Sequence, residues 1–383
     1  MVAADGDEPG AGDLRRQLGR GAHEAIVGAD EHERGHGDTR RVGVAHPRPD
    51  DGSQRQAIGA GGLGKGAELA ARGVGDLCRV VGEQPIEHGP AVGGAADAAT
   101  LAFVVGGRVD VALLVLANLP ALLLGGLLVR LVRREGGDAP AAERAAWFVA
   151  LVPPAFVLVF GYSEAIAGCL AVATFLALRS KRWWWAAAAG FLSGLTRPSG
   201  ALLAVPALVE AARGLRGASP RDVAGRLSAV VAPVAGVGAY LVWVGVRFGT
   251  PMLPVQIQQR SWLRGGFVNP VLALFRAGRD AFGGHFGGNG FHFPLMVVAV
   301  LLVVVVCLRW PAAYGAYAVV TVLVAFSAER LGSVERYCFL AFPLVLAIVS
   351  LTRSRRVELG ALVASSVCMA ALATLALLGA YVP

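Results

Sequence analysis

The sequence predicts an all-α, polytopic transmembrane helical bundle that follows a disordered polar N-terminal segment. The chain of 383 residues is 55% hydrophobic and only 16% charged, whereas soluble domains are about 25% charged. Residues 1–100 contain no Phe, Trp or Tyr, so that every aromatic residue lies in 101–383. That second part is a succession of apolar runs separated by short basic turns. These observations exclude a single soluble globular fold.

The distribution of charge supports this division and argues against nucleic acid as a partner. Residues 1–100 hold 16 Asp and Glu against 11 Lys and Arg, whereas the remaining residues hold 24 Lys and Arg against 11 acids. The basic residues of the second part flank apolar runs and do not cluster on a polar face. We therefore expect the lipid bilayer as a partner, no nucleic acid, and a multi-pass location in the cell membrane.

Residues 1–100 are predicted to be disordered, because they lack aromatic residues and a sustained hydrophobic period. The alternative is a mis-assigned segment, since a GC-rich gene translated in a wrong frame gives a similar composition.

His32–His36 fits a zinc-protease motif and Gly59–Gly64 fits a dinucleotide motif, but neither has the required helix or strand around it. His285 and His292 have no third ligand beside them. The sequence predicts no cofactor and no metal site.

About nine or ten spans are expected in residues 101–383, because a span needs about 20 mostly apolar residues. The predicted spans lie near 109–129, 145–160, 162–178, 183–196, 199–210, 227–247, 293–310, 311–328, 337–352 and 358–381. Several are short, so 145–178 and 183–210 are interpreted as tight hairpins or broken helices. If ten spans alternate, one side carries 15 Lys and Arg and the other carries nine. The richer side is predicted to be cytoplasmic, and the long loop 248–292 then faces outward.

Two charged residues at outward ends of predicted spans are candidates for function. Glu164 follows an outward turn, where capping of the next helix would also explain it. Arg197 interrupts an apolar run beside Pro198, and an arginine inside a membrane normally has a partner or a water-filled cavity. A structural ion pair with Glu164 or Glu210 and a functional role are both open. Gly190 and Gly194, four residues apart, predict close helix packing.

The outward loop and a later cluster supply the remaining candidates. Gln259, Trp262 and Arg264 belong to a segment with the pattern of a helix lying on the bilayer surface. The alternative is a lid whose arginines hold the phosphate of a lipid-linked substrate. Arg336 and Tyr337 open the next span, where they are positioned to line a cavity, although the charges of 329–336 pairing among themselves would also explain them.

These residues resemble the PIG-V family of membrane mannosyltransferases over about 101–383. The resemblance rests on Tyr162-Ser163-Glu164 opening a span, and on a basic turn and tryptophans that precede the Gly190–Gly200 motif GFLSGLTRPSG. Weaker matches are Gln259-x-x-Trp262-x-Arg264, and Ser333-x-x-Arg336-Tyr337 before Phe342-Pro343.

The resemblance implies a multi-span glycosyltransferase of the GT-C type. Such an enzyme takes a hexose, here mannose, from a polyprenyl-phosphate sugar donor and transfers it to a glycan or glycolipid acceptor on the outward face. Cationic side chains would hold the departing phosphate. The family's acidic residue in the first outward loop has no matching position here, so no catalytic residue is assigned. The candidate substrate-binding residues are Glu164, Arg197, Gln259, Trp262, Arg264, Arg336 and Tyr337.

Two other classes fit the same residues. Broken helices and an intramembrane arginine also occur in small-solute transporters. A non-catalytic membrane protein could use its polar clusters only to pack helices. Internal inverted repeats would favour the transporter, and the sequence has no clear repeat.

Overall fold

The computed structural model describes residues 109–160, 162–260, 263–286 and 288–379, and this part of the chain is almost entirely helical. The predicted disordered segment 1–100 lies outside the described residues. The helices are α1 Val109–Arg134, α2 Ala139–Leu151, α3 Glu164–Arg179, α4 Trp183–Thr196, α5 Ala204–Ala212, α6 Pro220–Phe248, α7 Leu253–Gln258, α8 Pro270–Phe282, α9 Phe293–Arg309, α10 Ala312–Phe326, α11 Val334–Phe339, α12 Phe342–Leu351 and α13 Arg355–Leu377. Three 3₁₀ segments, Ala155–Leu158, Pro198–Leu203 and Asn289–His292, link some of them. The predicted fold class is confirmed.

Within the described residues, four helical segments are long and apolar enough to cross a membrane. They are Val115–Arg134, Pro220–Phe248, Asn289–Arg309 and Arg355–Leu377. Shorter apolar helices, such as Ala312–Phe326, occupy other predicted spans. Helices of this length and composition are stable in hydrocarbon because their backbone groups are hydrogen-bonded internally. The part of the chain that the structure describes is that of an all-helical membrane protein.

The helix break predicted at Pro198 is present. Helix α4 ends at Thr196, and Arg197 adopts an extended conformation with φ −151° and ψ 142°. A residue before proline is disfavoured in the helical region, so the chain turns here and continues as the 3₁₀ segment and α5. The break leaves the Arg197 side chain at the end of α4, where other helix ends meet.

The close packing predicted from Gly190 and Gly194 is confirmed. A Cβ atom added to Gly190 would lie 2.8 Å from Cγ of Pro233, and one added to Gly194 would overlap the Pro233 carbonyl oxygen. On the partner helix, a Cβ on Gly236 would overlap the carbonyl oxygen of Phe191. Helices α4 and α6 therefore approach backbone to backbone, which small residues permit.

The centre of the bundle is filled by aromatic rings from three helices. Phe175 of α3 packs edge-on against Phe342 of α12 at a centroid distance of 4.9 Å, and it lies 4.8 Å from Tyr314 of α10. Phe175, Tyr314 and Phe342 are buried. This cluster joins helices that are distant in the sequence, and charged residues are excluded to the two ends of the bundle.

At the end of the bundle where α3 finishes, called here the Arg179 end, charged side chains form a closed network. Arg179 binds Glu135 through two hydrogen bonds of 2.8 and 3.0 Å and contacts Glu210 at 3.2 Å. The hydroxyl of Tyr314 donates to Glu135 at 3.1 Å. Glu210, one of the two acids considered for Arg197, is therefore engaged with Arg179 and with Arg213.

Candidate functional site

The opposite end of the bundle, where α3 begins, is called the Glu164 end, and it brings together charged residues from three separate parts of the chain. Glu164 opens α3, Arg197 lies at the break after α4, and Arg336 lies on α11. Nη1 of Arg197 is 2.5 Å from Oε1 of Glu164, and Nε of Arg336 is 3.3 Å from the same oxygen. All three side chains are at most 13% exposed. Of the two acids considered for Arg197, Glu164 is the one that it contacts.

These ion pairs are close in distance but are not aligned as hydrogen bonds. Both carboxylate oxygens of Glu164 and the Nε atom of Arg336 are shielded from solvent, and within the described residues none of them has a hydrogen-bond partner of good geometry. Buried polar atoms are almost always hydrogen-bonded in folded proteins. The cluster therefore retains hydrogen-bonding capacity that a polar ligand would satisfy.

Tyr337 gathers the positive charges around one aromatic ring. The Cζ atoms of Arg264, Arg336 and Arg197 lie 4.9, 5.2 and 6.0 Å from the centre of its ring. Nη2 of Arg336 also donates a hydrogen bond of 3.3 Å to the Tyr337 hydroxyl. Guanidinium groups at such distances are attracted to the negative face of the ring. The ring is therefore a neutral support that holds three mutually repelling cations close together.

Tyr162 provides a second aromatic contact in the same place. The Cζ atom of Arg336 lies 5.3 Å from the centre of its ring, and Ser163 accepts a hydrogen bond of 3.4 Å from Nη1 of Arg197. The Tyr162-Ser163-Glu164 sequence thus contacts both arginines through three consecutive residues. The short turn before α3 is part of the site and not only a connection.

Arg264 has a structural task besides its contact with Tyr337. Its Nη2 atom donates to the carbonyl oxygens of Val324 and Ala325 at 3.2 and 3.1 Å, at the end of α10. Carbonyl groups in the last turn of a helix have no partner within the helix, and a cation there is favourable. Arg264 therefore caps α10 while its guanidinium faces the ring of Tyr337.

The loop that carries Arg264 is fixed against the segment before α11. The backbone N–H of Arg330 donates to the carbonyl of Arg264 at 3.1 Å, and that of Glu329 donates to Gly266 at 3.1 Å. Asn289 adds a clamp, because its side chain donates to the Glu329 carbonyl and accepts from the Leu331 N–H. These bonds hold the loop 248–292 against the segment before α11 at the Glu164 end.

A buried pair that the sequence did not predict lies next to Arg336. Nδ1 of His292 is 2.6 Å from Oε1 of Glu335, and the Glu335 side chain is fully buried. The interpretation of 329–336 as charges pairing among themselves is therefore incomplete, because Glu335 pairs with a residue before α9. The sequence signal for this pair is Glu335 itself, an acidic residue beside Arg336 in the segment that leads into an apolar helix.

The two remaining predicted site residues, Gln259 and Trp262, are not in the cluster that the structure describes. Gln259 caps the C-terminus of α7, where its backbone N–H donates to the Val255 carbonyl at 3.0 Å, and Gln259 is exposed. Trp262 lies outside the described residues. The predicted surface helix is short and spans Leu253–Gln258. The amphipathic helix α8 that follows was not predicted, because its apolar residues do not form a continuous run.

The fold and the cluster define a class: an all-helical membrane protein with a buried, arginine-rich site at one end of its bundle. Comparison with known proteins adds no family to this, because no family model, no curated protein and no solved structure matches the chain.

Proposed function

We propose that the protein is a membrane glycosyltransferase that takes a hexose, in our proposal mannose, from a polyprenyl-phosphate sugar. The acceptor would be a lipid or cell-envelope glycan on the outward face. The resemblance to PIG-V-type enzymes motivates this proposal. The single observation that carries it is the convergence of Arg197, Arg264 and Arg336 on the ring of Tyr337, with Arg197 and Arg336 also paired with Glu164.

The charge of the cluster favours an anionic ligand. Arg197, Arg264 and Arg336 outnumber Glu164, the one acid paired with them among the described residues, because Glu335 is engaged with His292. Partly desolvated positive charge is costly unless it is compensated. A phosphate group would supply that compensation, because its oxygens accept charge-assisted hydrogen bonds from guanidinium groups.

Glu164 holds the place of the phosphate in this proposal. Its carboxylate attracts Arg197 and Arg336 without aligned hydrogen bonds, so a phosphate that forms such bonds can displace it. The two arginines would then stabilise the charge that develops on the departing polyprenyl phosphate. Transfer also needs a base for the acceptor hydroxyl, and the proposal assigns that role to no residue.

The test is sugar transfer by membranes that contain the full-length protein, with radiolabelled polyprenyl-phosphate mannose as the donor. Lysine at Arg197 or Arg336 keeps the charge but loses the planar, bidentate geometry. A lost charge-assisted hydrogen bond corresponds to roughly a ten- to a hundredfold decrease in transfer. The matched control is Arg276→Lys, because Arg276 is exposed on α8, in the loop that also carries Arg264.

Three results would count against the proposal. Equal transfer by all variants would refute the site. Transfer from a nucleotide sugar, with none from the lipid donor, would refute the donor class. Solute uptake into vesicles without any transfer would support the transporter instead. All variants should elute as one monodisperse peak in detergent, so that loss of transfer is not loss of folding.

A further inference from the structure

A groove at the Arg179 end, remote from the site described above, contains an arginine that has no partner among the described residues. The groove lies between α2 and the start of α13 and has a volume of about 630 Å³. Its lining includes Glu143, Arg144 and Trp147 from α2, and Arg355, Glu358 and Leu362 from α13. Both helices begin at this end, so the groove opens where a membrane surface would lie.

Arg144 is the unusual group in the groove. Its Nε atom is shielded from solvent, yet none of the described residues accepts a hydrogen bond from it. No ion pair of Arg144 occurs within the described part of the chain, whereas Arg355 and Glu358 pair with each other at 2.9 Å. A buried N–H of a charged group that has no acceptor is costly. The Arg144 side chain lines the groove and has no anionic partner among the described residues, so its charge is available to an anion that enters the groove.

The polarity of the lining changes along the groove as it does along a lipid. The charged residues lie in the second turn of α2 and the first turn of α13, and Leu151, Leu359 and Leu362 lie further along the same helices. Trp147, 53% exposed, lies between the two regions, where tryptophan is favoured at membrane interfaces. A phosphate would meet Arg144 while an acyl chain follows the leucines.

The surroundings favour an anionic lipid over a zwitterionic one. Arg353 and Arg356 are exposed beside the groove, in the turn that opens α13. With Arg144 and Arg355 of the lining they give four positive charges against Glu143, Glu358 and the flanking Asp138, a net charge of +1. Basic pockets between helices at a membrane surface bind anionic lipid headgroups.

Helix α13 leaves room for such a ligand. Only 6% of its most apolar 18-residue stretch is buried, and it is fixed to α2 by a hydrogen bond of 2.7 Å from Ser365 to the Leu151 carbonyl. The groove is the space between the two helices before this contact. We propose that it binds one anionic phospholipid of the bilayer, with the lipid phosphate on Arg144. This inference is independent of the proposed transferase activity.

The experiment is native mass spectrometry of the full-length protein in detergent, titrated with phosphatidylglycerol. One lipid should bind, and Arg144→Gln should weaken it roughly ten- to a hundredfold. Arg133→Gln is the matched control, because Arg133 is exposed at the same end of the bundle, in the last turn of α1. Equal affinity of wild type and Arg144→Gln would overturn the assignment.

A second pair of variants tests the apolar half of the groove without changing charge. Leu362→Trp should fill the space and lower phosphatidylglycerol binding, whereas Val363→Trp, at a position 62% exposed on the outer face, should not. Equal binding in these two variants would overturn the acyl-chain position. Equal affinity for phosphatidylcholine would overturn the preference for an anionic lipid.

Two further arms distinguish other occupants. Displacement of phosphatidylglycerol by millimolar inorganic phosphate would show that the groove binds a free anion and not a lipid, and would overturn the proposal. A photoreactive residue at 362 should cross-link to lipid in membranes. Cross-linking to a peptide from residues 1–108 instead would identify a segment of this chain as the occupant and would overturn the proposal.

Discussion

Replacing Glu164 by Gln removes the one negative charge that, among the described residues, is paired with Arg197 and Arg336. The distances of 2.5 and 3.3 Å correspond to attractions of about 7 and about 5 kcal/mol at an effective dielectric constant of about 20. Most of this is offset, because the charged carboxylate is itself costly to bury. Breaking a buried pair from one side costs about 3–5 kcal/mol, since it leaves uncompensated charge. We expect Glu164→Gln to lower the free energy of unfolding by that amount.

The assay is equilibrium unfolding in mixed micelles with increasing dodecyl sulfate, followed by tryptophan fluorescence. Asp280→Asn is the control, because Asp280 pairs with Arg279 on the protein surface at 3.3 Å and Arg279 is 71% exposed. Exposed pairs contribute about 0–1 kcal/mol. A double variant, Glu164→Gln with Arg336→Gln, should lose less stability than the sum of the single variants, because it leaves one buried cation instead of two.

The reasoning fails if Glu164→Gln costs no more than Asp280→Asn. It also fails if the losses in the double variant are additive, because Glu164 and Arg336 would then not be coupled.

Two further predictions use the same unfolding assay. Gly236→Ala should destabilise the protein by about 1–3 kcal/mol, because its Cβ would overlap the carbonyl of Phe191, whereas Gly238→Ala, with nothing within 4 Å, should stabilise it by about 0.5–1 kcal/mol. A neutral Gly236→Ala would contradict the backbone contact of α4 and α6. Arg226→Gln should cost about 1.5–3 kcal/mol, because Arg226 donates to a carboxylate and to two carbonyls at the end of α5, whereas exposed Arg221→Gln should cost less than 0.5 kcal/mol. Equal effects of these two arginine variants would contradict that role.

The sequence alone determined the fold class and which residues share an end of the bundle. Long apolar runs and basic turns are local properties, and each run must form its own hydrogen bonds in lipid, so helices follow directly. The break at Arg197 was equally predictable, because proline restricts the residue before it. Alternation of spans then assigned Glu164, Arg197, Arg264 and Arg336 to one end, and the structure brings these four together.

Only the tertiary structure decided which of these residues are partners. Arg197 could pair with Glu164 or Glu210 by sequence, and the packing of α3 against α4 places it on Glu164, while Glu210 meets Arg179 at the other end. The pair of His292 with Glu335 depends on how the loop before α9 meets α11, which no local pattern encodes. Hydrophobic periodicity specifies helices and their apolar faces, but side-chain partners depend on rotations and crossings that many distant contacts set together.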